Sequence, residues 1–190
     1  SHLPGESSGL LLPIEKWTDS TLPTNSFGQG YSVTALQATS VFATIANDGV
    51  RVPPTVIAGT RDSNGNFSPA KQGASERVIS ADTAKQMRAM LESVVSENGT
   101  APSAAIPGYR VAGKTGTAQR FNEGCKCYAG YTASFIGFAP ADAPKYVVSV
   151  TIQDPVGMHW GGVLGGQIGR ATSELQSLAY LVCRLLLEKK

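Results

Sequence analysis

Three strand candidates in the C-terminal half constrain the fold most: Tyr109–Gln119, Tyr131–Ala139 and Lys145–Gln153. Each has the length of a strand, and the last two are rich in the β-branched and aromatic residues that strands favour. The last two are joined only by Pro140-Ala141-Asp142-Ala143-Pro144. That is too short for a crossover helix and long enough for a hairpin, so they pair antiparallel. The 120–130 connection is longer and is expected to be a loop holding Cys125 and Cys127.

Helices are expected around this sheet. Thr34 offers an N-cap to a segment with Leu36, Val41, Phe42 and Ile45 on one side, and Asn47-Asp48-Gly49 ends it. Ser80 caps a second helix, with Ala84, Met87, Leu91, Val94 and Val95 on one face, closed by Asn98-Gly99. Between them, Thr55–Arg61 and the return at Phe67 read as a small hairpin, and Arg77-Val78-Ile79 as a short extended piece. Residues 3–31 and 100–108 read as loops. After a Gly-rich stretch from Gly157 to Gly169, Ser173 is expected to cap a last helix. Its apolar face is Leu175, Leu178, Val182, Leu185 and Leu186. The expected class is α+β: an antiparallel sheet flanked by helices, with no internal repeat and no dividing linker.

Composition excludes several roles. With 42% hydrophobic and 16% charged residues the chain has an ordinary globular core. A net charge of +2, with no basic run longer than Lys189-Lys190, argues against a nucleic-acid surface. No apolar run reaches the ~18 residues of a membrane span. Cys125, Cys127 and Cys183 form no disulfide framework, and no second Cys or His pair follows to complete a zinc site. Metal and cofactor are therefore not expected. Cys125 and Cys127 read as loop cysteines, free or mutually oxidised. Cys183 reads as a small core residue, and His159-Trp160 as a structural loop pair with a possible reach to substrate.

The chemistry gathers in Val111-Ala112-Gly113-Lys114-Thr115-Gly116-Thr117-Ala118-Gln119-Arg120. Strand alternation puts Lys114 and Gly116 on one face, and Thr115 and Thr117 on the other. On an edge strand this segment could pair with an extended peptide. Lys114 supplies a cation for a carboxylate, Gly116 lets a backbone approach closely, and the Thr117 amide can donate to a developing oxyanion. The competing reading is a plain surface strand with one solvated lysine. Lys-Thr-Gly belongs, with Ser-x-x-Lys and Ser-x-Asn, to serine acyl-transferases that react with β-lactams.

Several further blocks accompany it in order. They are Leu3-Pro4-Gly5-Glu6-Ser7, Phe27-Gly28-Gln29-Gly30-Tyr31 leading to Gln37, and Ala46-Asn47-Asp48-Gly49-Val50 with Pro53-Pro54. After Gly113–Gln119 comes Ala133-Ser134-Phe135-Ile136-Gly137-Phe138-Ala139-Pro140. With these the chain resembles the C-terminal part of a class B penicillin-binding protein, most like the septal, cell-division type. The match covers residues 3–163, and residues 164–190 are expected to carry the C-terminal helix. The resemblance implies a penicillin-binding-protein/β-lactamase-like transpeptidase fold and a peptidoglycan D,D-transpeptidase activity. It implies that Lys114, Thr115 and Thr117 bind the substrate or β-lactam carboxylate. It also implies that Gly116 leaves room for the acyl donor and that the Thr117 N–H completes an oxyanion hole. Implied partners are D-Ala-D-Ala stem peptides, β-lactams and division proteins, and no nucleic acid. The implied place is the extracytoplasmic face of a bacterial membrane, with a membrane-anchored parent.

Two Ser-containing decoys need rejecting. Ser68-Pro69-Ala70-Lys71 spells Ser-x-x-Lys, but Pro69 and the flanking Gly and Asn residues mark a hairpin, not a helix. Ser96-Glu97-Asn98 falls at a helix exit. The chain is therefore expected to be a piece lacking the nucleophile-bearing half and inactive alone. Core surface left exposed where that half packs would favour dimers of the piece. Rival readings are a β-lactamase or D,D-carboxypeptidase, which share Lys-Thr-Gly, and a non-catalytic module that docks division partners.

Overall fold

In the computed structural model, residues 5–175 and 183–186 are described. Twelve elements matter here. Helix α1 (Thr21–Ser26) leads to α2 (Ala35–Ala46) and four short strands, β1 (Val50–Arg51), β2 (Gly59–Arg61), β3 (Phe67–Pro69) and β4 (Glu76–Arg77). Helix α3 (Ala81–Ser93) precedes β5 (Ala112–Asn122), β6 (Cys127–Ala139), β7 (Tyr146–Gln153), α4 (Gly161–Leu175) and β8 (Cys183–Leu186).

The sheet is antiparallel in the order β5-β6-β7-β8, so β5 is an end strand. Ala139 pairs with Tyr146 across the short Pro140–Pro144 connection, as the sequence requires. The caps also hold. Thr34 forms a capping box with Gln37, whose N–H reaches Thr34 Oγ1 at 3.1 Å, and Ser80 Oγ accepts from the Thr83 amide. Gly49 takes φ +82°, the left-handed conformation expected of a helix-ending glycine.

Two layers of helix sandwich the sheet. On one face Ile45 of α2 and Leu91 of α3 pack on Ala112, Ile136, Phe138 and Val147. On the other, Phe135 and Val111 meet Val95, Ala101 and Ala104, with α4 laid across β5, β6 and β7. Ion pairs tie α3 to its neighbours: Arg88 Nη1 bonds Asp48 Oδ1 at 2.6 Å, and Arg110 makes a two-pronged bond to Glu92 at 2.6 and 2.8 Å.

Three expectations are corrected. First, the last helix runs Gly161–Leu175 and does not begin at Ser173; Leu185 and Leu186 lie in strand β8, while Leu178 and Val182 fall outside the described residues. Of the glycines that made 157–169 look like loop, those from Gly161 onward are contact residues. A Cβ on Gly161 would lie 2.1 Å from Gly116 O, one on Gly165 2.9 Å from Phe135 Cβ, and one on Gly162 2.0 Å from Thr100 O. Glycine disfavours helix by ~1 kcal/mol, but here it lets α4 lie flat on the sheet, and tertiary packing wins. Second, the 120–130 loop is mostly strand: β5 and β6 extend to Asn122 and Cys127, with a register shift between Gln119 and Phe121. Third, residues 3–31 hold α1 and a 3-10 turn at Ile14–Lys16, so the segment is not all loop.

Candidate active-site wall along strand β5

The site residues lie on the sheet's margin. Lys114 pairs with Ile136, Thr115 with Phe135, Gly116 with Ser134 and Thr117 with Ala133. Antiparallel residues alternate between pointing both backbone groups at the partner strand and pointing both away. The carbonyls of Ala112 and Ile136, and those of Gly116 and Ser134, lie between β5 and β6, where a Cβ built on Gly137, Gly113 or Gly161 would strike them. Alternation then turns the amides and carbonyls of Thr115 and Thr117 to the open side. Among the described residues no strand pairs there.

Lys114 answers to that open side. Its exposed ammonium folds over the strand's edge and donates to Thr115 O at 3.0 Å and Thr115 Oγ1 at 3.3 Å. A lysine can reach its neighbour's carbonyl this way only where no strand occupies the edge. The backbone keeps the expected alternation, yet the cation and the Thr115 hydroxyl meet.

The threonines are fixed from the other face. Thr115 Oγ1 lies 3.3 Å from Thr100 Oγ1, and Thr117 Oγ1 accepts from the Gly161 amide at 3.2 Å. Thr117 thus caps the first turn of α4, whose N-terminus brings partial positive charge close to the strand. On the Lys114 face, a Cβ at Gly116 would lie 2.4 Å from Ser134 Oγ. Only a residue without a side chain leaves that surface clear while Ser134 keeps its rotamer.

Sequence reading missed Thr100, Ser134 and Gly161. Nothing in the spacing of Thr100 signals its contact, since a loop delivers it; Gly161-Gly162 could have been found as a small pair just before a helix that must approach the sheet. His159 stacks on Tyr131 at 4.1 Å between ring centroids and lies 4.9 Å from Trp160. The two loop aromatics thus pack beside the far end of β5, where Tyr131 pairs with Gln119.

Neither decoy lies in a helix, and α3 ends at Ser93, well short of the expected Asn98-Gly99 stop, with Val94 and Val95 beyond it. Ser68 and Pro69 are in strand β3, so Ser68 and Lys71 do not share a helix face, and Ser96–Asn98 is in the turns after α3. Cys125 and Cys127 are joined as a disulfide, which decides between the two states left open. No group of three or more metal-ligating side chains occurs among the described residues. No helix there is long and apolar enough to cross a membrane. A groove of about 880 Å³ lies away from β5, between α2, α3 and the Glu6–Ser8 strap.

Residues 1–174 match the penicillin binding protein transpeptidase domain family. Penicillin-binding protein PbpB of Mycolicibacterium smegmatis is 46% identical over 161 residues, covering 80% of this chain and 25% of that protein. Peptidoglycan D,D-transpeptidase FtsI of Escherichia coli is 35% identical over 167 residues, covering 87% of this chain and 27% of that protein. The crystal structure of penicillin-binding protein 3 from Mycobacterium tuberculosis, complexed with aztreonam, superposes with a TM-score of 0.85 at 41% identity, covering 92% of this chain and 41% of that one. The chain thus spans about a quarter of the length of these curated relatives. It belongs to the class B penicillin-binding proteins and lies within their transpeptidase domain.

Proposed function

We propose that this chain forms one wall of the active site of a serine-type D,D-transpeptidase that cross-links peptidoglycan stem peptides. The open side of β5 carries the reading: the Thr115 and Thr117 amides face outward on the margin where the Lys114 ammonium lies. An extended peptide ending in D-alanyl-D-alanine adds to that margin as a strand. Lys114 with the Thr115 and Thr117 hydroxyls holds the terminal carboxylate through charge-assisted bonds. The acyl carbonyl lies at the Thr117 N–H, and Gly116 leaves its path clear.

The attacking serine and its base belong to a part of the domain outside this chain. The absence of a helical Ser-x-x-Lys among the described residues supports this, as does the quarter-length match to the relatives. Leu10, Leu11, Ile14, Leu22, Phe27 and Val41 stand exposed, a surface that the remainder of the domain covers. The serine oxygen attacks the donor carbonyl, and the C–N bond to the last D-alanine breaks, its nitrogen taking a proton. An amine from a second stem peptide then displaces the serine. A β-lactam enters the same wall as the donor does and remains attached. By itself this chain forms no acyl-enzyme. The parent works at the extracytoplasmic face of the membrane with division proteins.

The test uses the Thr117 amide. Thr117→Pro removes the N–H at an edge position where no ladder bond is lost. Thr117→Val keeps the N–H and removes the hydroxyl. In the full-length protein, Thr117→Pro is expected to slow acylation by fluorescent penicillin about 100-fold or more, well beyond the effect of Thr117→Val. Equal rates for the two variants would remove the amide from the oxyanion role.

A further inference from the structure

We propose that the Cys125–Cys127 bridge at the tip of the β5–β6 hairpin is a thiol–disulfide exchange site for an external dithiol. Both cysteines are exposed, so a thiolate can approach either sulfur. Only Lys126 separates them, and it is held at φ +53°, a left-handed conformation that disfavours a non-glycine residue. Opening the bridge releases that residue, which favours reduction. Exposed or strained disulfides are the labile ones, whereas buried structural bridges resist thiols.

The contacts beside and below the bridge hold the hairpin without fixing the Lys126 backbone. Asn122 Oδ1 accepts from the Gly124 amide at 2.8 Å, Lys126 pairs with Glu123, and Phe121 meets Tyr128 edge-on at 5.8 Å below the tip. The sheet therefore stays folded when the bridge opens, because its core at Phe135, Phe138 and Val147 lies far along the strands. In the exchange, a partner thiolate attacks one sulfur and forms a mixed disulfide, and the other cysteine leaves as a thiolate. The partner's second thiol then attacks the mixed bond. Two electrons pass to the cysteines, which end as thiols, and the partner ends as a disulfide.

This inference rests on the hairpin tip alone and stands or falls apart from the transpeptidase reading. The full-length folded protein is equilibrated with reduced and oxidised dithiothreitol, quenched with acid and alkylated. Peptide mapping then separates Cys125 and Cys127 from Cys183, with circular dichroism recorded on the same samples. Reversible reduction of the bridge at an unchanged dichroism signal is expected. Lys126→Gly should shift the exchange equilibrium about fivefold toward the disulfide, because glycine takes the left-handed conformation freely. A bridge that opens only as the chain unfolds, or a Lys126→Gly equilibrium equal to the parent's, would overturn the proposal.

Discussion

The Gly161 amide donates to Thr117 Oγ1 at 3.2 Å, and a Cβ on Gly161 would fall 2.1 Å from Gly116 O. Helix α4 and the site strand are thus docked backbone to backbone. Gly161→Ala cannot be absorbed by a side-chain rotation, since its methyl meets main chain. It should cost about 1–3 kcal/mol of stability, the usual penalty of overpacking, and lower the melting temperature accordingly. An unchanged melting curve would mean that α4 does not approach β5 so closely.

Gly116→Ala is expected to behave differently. Its methyl meets the Ser134 hydroxyl, which can swing to another rotamer, so folding should change by less than about 1 kcal/mol. The methyl remains on the Lys114 face, where the proposed reading places the path of the acyl donor. Penicillin labelling of the full-length protein should therefore fall at least about tenfold while the melting temperature holds. A large melting shift with normal labelling would invert this account.

The Arg110–Glu92 pair predicts an acid-limb effect. Arg110, bonded to Glu92, holds that carboxyl below its ordinary value near 4.5. A depressed folded-state value means that the contribution is fully present above the ordinary one. It is lost as pH falls through the folded value. Glu92→Gln should thus destabilise the fold near neutral pH and converge with the parent in acid. Parallel melting-versus-pH curves for the two proteins would contradict this.

Much of this fold was legible because its signals are local. Thr34 and Ser80 announce helices by capping chemistry, and Pro140–Pro144 leaves β6 and β7 only one way to pair. Lys114, Thr115, Gly116 and Thr117 were legible as one cluster because a single strand carries them. What escaped depends on distant partners. The glycines from 161 to 169 read as loop until the strands and the Thr100–Ala104 segment they press against are known. The strand at Cys183–Leu186 shares its apolar run with a helix pattern, and pairing with β7, not propensity, decides it. Thr100 and Ser134 reach the site through tertiary contact, which no motif records.

The core sets the scale for these effects. Phe138 is 2% exposed among Ile45, Ala46 and Val147, and its truncation in Phe138→Ala should cost about 3–5 kcal/mol. Chemical denaturation measures this directly. A loss below 1 kcal/mol would mean that the α2 face of the sheet is not packed as described.

The most direct measurement is the rate at which fluorescent penicillin acylates the full-length protein, compared with its Lys114→Ala variant. On the proposed reading the ammonium at the open margin of β5 receives the carboxylate, so the variant should be labelled about 100-fold more slowly with its melting temperature intact. Equal labelling of the two proteins would contradict the account at its centre.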